Sequence, residues 1–120
     1  MIWVQSVAFG VGGVFLANSI PHIVSGLMGR PFQSPFAKPP GEGLSSSTVN
    51  VLWGGFNLTV AYLLIFHVGV FDLKDEVHVA CVGLPALLAS VGLARAFGRF
   101  HGGNDPLREQ AANHAIRKEK

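Results

Sequence analysis

The amino-acid sequence predicts an all-α integral membrane protein with three transmembrane helices. Of its 120 residues, 49% are hydrophobic and 13% are charged, whereas soluble chains carry about 25% charged residues. Three stretches contain no Asp, Glu, Lys or Arg at all: Met1–Gly29, Leu44–Phe71 and Val77–Ala94. Each meets or approaches the ~20 residues that cross a hydrocarbon core. A soluble helix would place polar residues on one face, and these stretches do not.

The first predicted element is a transmembrane helix over Ile2–Met28. It contains the string "NSIPHIVSG", which places polar side chains within an apolar run. Pro21 has no amide N–H, so the carbonyl of Ala17 loses its helical partner. Small residues that allow a close helix contact share one face of this span: Ser6, Gly10, Gly13 and Ala17.

The connection after the first span, residues 29–47, is predicted to be an ordered interfacial loop. It repeats Pro-Phe, at Pro31–Phe32 and Pro35–Phe36. Prolines lower the entropy that a loop loses on ordering, whereas a flexible linker would use Gly and Ser without aromatic anchors. One of the serines in Ser45–Ser47 can cap the next helix.

The remaining elements are two further spans and a tail. The second span is predicted over Thr48–Phe71 and the third over Val77–Phe100, joined by a short turn in which Asp72 or Asp75 can cap the third helix. Residues 1–100 therefore form the membrane domain. Residues 101–120 are expected to be a cytoplasmic tail, either a short amphipathic helix starting near Pro106 or disordered.

The distribution of Lys and Arg predicts the orientation. With three spans, the first connection and the tail lie on one side, and they hold eight of the nine cations: Arg30, Lys38, Arg95, Arg99, Arg108, Arg117, Lys118 and Lys120. The other side holds only Lys74. The positive-inside rule then predicts an N-terminus outside and a C-terminus in the cytoplasm, and we expect a bacterial inner membrane.

Polar side chains of the first two spans are predicted to meet in one layer. Asn18, His22 and Ser25 share a face of the first helix, and Asn50, Trp53 and Asn57 share a face of the second. At 1.5 Å per residue, Asn18 and Asn57 both lie ~14–15 Å from the cytoplasmic ends of their helices. Ser90 and Arg95 of the third span fall in the same layer.

Two interpretations of this layer stay open. The polar groups can hydrogen-bond between helices and fix their packing, which is common in membrane proteins. Alternatively they line a pocket that opens to the cytoplasm beneath the loop. The ligand-binding candidates are Asn18, Ser25, Asn50, Trp53, Asn57, Ser90 and Arg95, and the candidates for binding an anionic headgroup are Arg30, Lys38 and Arg99.

The preferred functional hypothesis is a small membrane protein whose polar pocket binds a lipophilic or amphipathic ligand. The chain would associate with itself or with a partner membrane subunit, and membrane lipids are its expected surroundings. One alternative is a membrane enzyme, isomerase-like, with His22 as general acid or base, an intramembrane histidine suited to proton transfer. Another is a structural accessory subunit of a larger complex.

Several other classes of function lack support in the sequence. There is no basic stripe with interleaved aromatics for nucleic acid, and Cys81 is the single cysteine. No cofactor is predicted, and neither haem nor a metal site is favoured. The weak metal candidates are His67 and His78, whose spacing matches no common zinc pattern.

Overall fold

The structure, a computed structural model, describes residues 2–120 and is mostly helical. The elements in chain order are α1 (Trp3–Leu27), β1 (Phe32–Gln33), β2 (Leu44–Ser45), α2 (Ser47–Leu63), a π-helical turn (Leu64–Val68), α3 (Glu76–His101) and α4 (Pro106–Glu119). Three helical stretches are long and apolar enough to cross a membrane, beginning at Trp3, Ser47 and Glu76. The all-α prediction is therefore confirmed, with a small β ladder added to it.

Polar side chains begin three of the helices. Ser46 is the serine that caps α2, Asp75 caps the start of α3, and Asp105 caps α4. Each side-chain oxygen accepts a hydrogen bond from a backbone N–H of the first turn, at 3.2, 2.9 and 3.1 Å respectively. These bonds satisfy amide groups that have no partner within the helix.

The second span ends earlier than the sequence predicts. It was expected to reach Phe71, but regular helix stops at Leu63 and a π-helical turn closes it at Val68. The N–H of Gly69 bonds the carbonyl of Leu64 at 3.0 Å, which is the wider spacing of a π turn. Hydropathy continues past this point, so it does not reveal the change in hydrogen bonding.

α1 packs against both other long helices at glycines. A Cβ on Gly54 of α2 would lie 2.5 Å from Ile23 Cγ1 and 2.9 Å from Ile23 N, so α1 and α2 approach closely there. On its other side α1 meets α3, where a Cβ on Gly13 would collide with the carbonyl of Val82. The absence of a side chain at both glycines is what allows these contacts.

The core between the long helices is small. Phe9, Ala61 and Ile65 form its buried centre, with Phe71 and Val82 packed against it. Most other large apolar side chains are exposed, among them Leu52, Leu58, Leu84, Leu87 and Leu88. An apolar outer surface of this kind suits hydrocarbon surroundings, in which exposed leucines carry no penalty.

The described chain divides into two compact units, the first ending at Ser90 and the second being Val91–Lys120. The second unit contains the end of α3 and the whole of α4. In it, Asn104 Nδ2 donates to the carbonyl of Arg95 at 2.9 Å, and the residues of α4 are all exposed.

Candidate functional site

The polar layer centres on a hydrogen bond between α1 and the first turn of α2. His22 Nδ1 lies 2.7 Å from Asn50 Oδ1, and the two residues are 2% and 0% exposed. The Asn50 amide nitrogen donates to the carbonyls of Phe32, Ser45 and Ser46 at 3.1, 3.2 and 3.0 Å. These three acceptors fix the orientation of the amide, so its oxygen faces the imidazole and His22 Nδ1 is the donor.

Asn50 therefore fastens the connection to the helices. The carbonyls of Phe32 and Ser45 belong to β1 and β2, which pair as an antiparallel ladder with Phe32 opposite Ser45. The hydroxyls of Ser34 and Ser45 are 2.5 Å apart, and Gln33 and Ser34 are buried. An amide at one helical position thus holds both ends of the Pro/Phe-rich connection against α1 and α2.

A second pair joins the same two helices about two turns further into α2. Asn18 Nδ2 donates to Asn57 Oδ1 at 3.0 Å, and Asn57 Nδ2 donates to the carbonyl of Trp53 at 2.8 Å. Asn57 is 1% exposed. Buried amides in an apolar interior must be paired, and this arrangement uses both polar atoms of Asn57.

Trp53 lies between the polar layer and the connection. Its indole stacks on Phe56 with ring centroids 5.6 Å apart and 15° between the planes, and it contacts Phe36 edge-to-face at 5.2 Å. The His22 ring also approaches it, at 6.4 Å. The indole Nε1 is buried, and it has no hydrogen-bond partner in the described chain.

An apolar groove runs along this aromatic cluster. Its volume is about 490 Å³, and it is lined by Phe36, Val49, Leu52, Trp53 and Phe56. Phe36 comes from the connection and the other four from α2, so the groove exists only because the connection is held against that helix. Trp53 is the one residue that belongs both to this groove and to the predicted ligand-binding set.

The structure brings together five of the residues singled out in the sequence, Asn18, His22, Asn50, Trp53 and Asn57, in the layer just described. Among the other ligand candidates, Ser90 is exposed and donates to the carbonyl of Ala86 at 2.7 Å, Ser25 is half-buried on α1, and Arg95 belongs to the second unit.

The three headgroup candidates are all exposed. Arg30 and Lys38 are on the connection, and the backbone N–H of Arg30 bonds the carbonyl of Ser25 at 2.9 Å. Arg99 belongs to the second unit, where its guanidinium lies 5.0 Å from the centre of the Phe100 ring.

His67 and His78, near the other end of the helices, make different local contacts. His78 Nδ1 accepts the backbone N–H of Asp72 at 3.1 Å, and its Nε2 lies 3.5 Å from Asp75 Oδ2. The His67 ring contacts Tyr62 at 5.3 Å. Within residues 2–120, no three His, Cys, Asp or Glu side chains are grouped so that they could hold a metal ion.

The sequence reasoning missed two parts of the site. One is the hydrogen-bonded pair of the buried Ser34 and the half-buried Ser45, which lies in a connection too irregular for periodicity to assign. The other is the apolar wall of the groove, formed by Val49, Leu52 and Phe56. The i, i+4, i+7 spacing of Val49, Trp53 and Phe56 places them along one face of α2, and Phe36 of the predicted interfacial loop completes the wall.

Comparisons with known proteins give no relative for this chain. No family model, no curated protein and no solved structure matches it.

Proposed function

We propose that this chain is a membrane protein that binds an acyl-chain amphiphile with an anionic headgroup in the groove beside Trp53. The observation that carries the proposal is the groove itself, an apolar channel walled by Phe36 and α2, beside a buried and hydrogen-bonded polar layer. The polar layer then positions the wall of the site, and the ligand lies next to that layer.

The charges around the groove favour an anionic headgroup. Lys38 is two residues from Phe36, so their Cα atoms are at most about 7 Å apart, and its side chain is exposed. Arg30 is two residues before Phe32, whose carbonyl is bonded to Asn50. Each such cation near a membrane surface contributes about 1 kcal/mol of attraction to anionic lipid.

The topology belongs to the same proposal. With three spans, and with the connection and the tail in the cytoplasm, the groove would lie in the inner leaflet, and the lipid would enter it sideways from the bilayer. Self-association and a partner subunit stay predictions: on α3, a Cβ at Gly83 or Gly92 would meet open space, so another helix has room to approach there.

The enzyme alternative receives less support from the geometry. His22 is 2% exposed and its Nδ1 is held by Asn50, an arrangement suited to orienting the ring. The groove wall contains Trp53 and four apolar residues, none of which is a general acid or base. A proton-transfer role for His22 would need a substrate within reach of the imidazole.

Fluorescence quenching by lipid tests the binding proposal. The chain has two tryptophans, so Trp3→Phe leaves Trp53 as the only tryptophan. This variant is placed in vesicles of phosphatidylcholine that contain a rising fraction of phosphatidylglycerol with brominated acyl chains. A parallel series uses vesicles of phosphatidylglycerol that contain a rising fraction of brominated phosphatidylcholine. We expect Trp53 to be quenched at a several-fold lower fraction of brominated phosphatidylglycerol than of brominated phosphatidylcholine.

The matched control is Trp53→Phe, which leaves Trp3, a residue 76% exposed at the start of α1. Its quenching should follow the bulk composition for both lipids. Identical curves for the two lipids at Trp53 would contradict the proposed site.

A further inference from the structure

The indole N–H of Trp53 is a buried donor without an acceptor in the described chain. Leaving such a group unpaired costs about 1–3 kcal/mol, and buried polar groups in folded proteins are nearly always paired. Every other wall residue of the groove, Phe36, Val49, Leu52 and Phe56, has a wholly apolar side chain. An acceptor oxygen on a molecule bound in the groove would supply the partner that Nε1 lacks in the described chain.

Water is a poor candidate for that molecule. A buried water needs two to four polar partners, and the side chains of the groove offer the indole N–H alone. A pure hydrocarbon chain would fill the groove but leave the N–H unpaired. The occupant that satisfies both features carries a long apolar chain and, close to it, an oxygen that accepts a hydrogen bond.

We infer that the groove binds a diacyl glycerophospholipid with an anionic headgroup, and that one of its ester carbonyl oxygens accepts a hydrogen bond from Trp53 Nε1. This inference rests on the proposed function and adds the chemistry that recognises the lipid. The acyl chain follows Leu52 and Phe56, the ester lies at Trp53, and the phosphate faces Lys38.

The position of Trp53 along α2 suits an ester group. Trp53 is six residues beyond Ser47, where α2 begins, and therefore ~9 Å along the helix at 1.5 Å per residue. Indole rings favour this level of the bilayer, where one end of the ring is apolar and the N–H meets polar groups. Of the charged residues in the connection, Lys38 is closest in sequence to Phe36, and the carboxylate of Glu42 is four residues further on.

Phe36 packs against the indole of Trp53. Its ring lies edge-to-face on the indole, and its side chain is 64% exposed. Nε1 itself is covered, so the proposed hydrogen bond requires a neighbouring side chain to move, and the exposed Phe36 ring is the one to which we assign this movement. The backbone beneath is held by the bond from the N–H of Phe36 to Ser34 Oγ at 3.1 Å.

The ester can be tested with lipids that differ only in the bond to the acyl chain. The Trp3→Phe chain, labelled with ¹⁵N at the indole nitrogen, is placed in nanodiscs of ether-linked phosphatidylcholine, which contains no carbonyl. Phosphatidylglycerol is then titrated in, in either its ester-linked or its ether-linked form. We expect the Trp53 indole proton to shift downfield and saturate with the ester-linked lipid, and to shift far less with the ether-linked lipid.

Brominated versions of both phosphatidylglycerols separate this inference from the proposed function. If both quench Trp53 selectively but the indole proton responds equally to them, the groove binds lipid and the ester contact is wrong. If neither quenches Trp53 selectively, the proposed function fails, and the inference fails with it. The proposed function and the inference together require selective quenching of Trp53 and a shift of the indole proton that is specific to the ester-linked lipid.

Discussion

The imidazole Nδ1 of His22 and the amide oxygen of Asn50 lie 2.7 Å apart across the contact between α1 and α2. Through Asn50 the same contact reaches the carbonyls of both short strands. A single buried amide therefore couples two helices to the connection that forms one wall of the groove beside Trp53. Removing this amide should lower the stability of the helix pair and change the shape of the groove.

Replacing Asn50 by Ala should be strongly destabilising. The substitution removes the four hydrogen bonds of the Asn50 side chain, which link α1 and both short strands to α2, and losing such bonds is costly in an apolar interior. We expect a loss of about 3 kcal/mol in the free energy of unfolding, measured in mixed micelles. Thr59→Val is the matched control, because the Thr59 hydroxyl is exposed and bonds only its own helix, at Gly55 O. Equal effects of the two substitutions would contradict the role of Asn50.

His22→Asn should preserve the fold, whereas His22→Leu should not. The Nδ2 atom of an asparagine occupies the same position relative to Cβ as the imidazole Nδ1, so it can donate to Asn50 Oδ1. We expect His22→Asn to keep the thermal stability within a few degrees and to keep the quenching of Trp53 by brominated phosphatidylglycerol. Since an asparagine cannot transfer a proton, loss of the cellular function in a folded His22→Asn chain that still binds lipid would favour the enzyme alternative.

The Asn18–Asn57 bond should show measurable coupling in a double-mutant cycle. We expect Asn18→Leu and Asn57→Leu to interact by about 0.6 kcal/mol, the average for polar contacts between membrane helices. The cycle of Asn18→Leu with Thr59→Val serves as the control, and its two substitutions should be additive. Additivity in the first cycle would mean that the 3.0 Å contact contributes nothing.

Neighbouring glycines of α2 should respond in opposite ways to alanine. At Gly54 a Cβ would lie 2.5 Å from Ile23 Cγ1 and 2.9 Å from the Ile23 backbone N. The helices must separate there, and we expect Gly54→Ala to cost about 1–3 kcal/mol. At Gly55 nothing lies within 4 Å, so Gly55→Ala should be neutral or stabilise by up to about 1 kcal/mol through helix propensity. Unfolding in mixed micelles measures both, and equal losses would contradict the packing described.

Lys38→Gln should weaken the preference of the groove for anionic lipid. Removing one cation near the membrane surface lowers the attraction by about 1 kcal/mol, which is about a fivefold change in selectivity. The quenching assay in the Trp3→Phe background measures it. Lys74→Gln is the control, because Lys74 is the one cation that the predicted topology places on the opposite side of the membrane. If Lys38→Gln keeps the full preference for anionic lipid, the proposed contact between Lys38 and the headgroup is wrong.

Hydropathy and spacing were sufficient to predict the helices and much of the polar layer. The three apolar runs gave α1, α2 and α3 within a few residues, apart from the end of the second span, because burial in hydrocarbon demands length and apolarity. Helical spacing also placed Asn18 and His22 on one face and Asn50 and Asn57 on another. In the structure the earlier residue on α1 pairs with the later residue on α2: Asn18 bonds Asn57, and His22 bonds Asn50.

Other features depend on contacts that spacing does not encode. The ladder of β1 and β2 has two residues per strand, too few for an alternating pattern to appear. The π-helical turn keeps the hydropathy of a regular helix. The groove needs Phe36, which lies seventeen residues before Trp53 in the sequence, and it becomes visible only when the connection folds back on α2.

Photo-crosslinking of lipid in the native membrane tests the lipid site most directly. A benzophenone side chain replaces Leu52, which lines the groove and is 69% exposed, or Leu27 as the control, which is 73% exposed at the end of α1 and is not among the groove residues. After irradiation of whole cells, mass spectrometry identifies the attached lipids. We predict that adducts at Leu52 are enriched in anionic diacyl phospholipid over the composition of the membrane, while those at Leu27 match it. The same lipid composition at both positions would contradict the site.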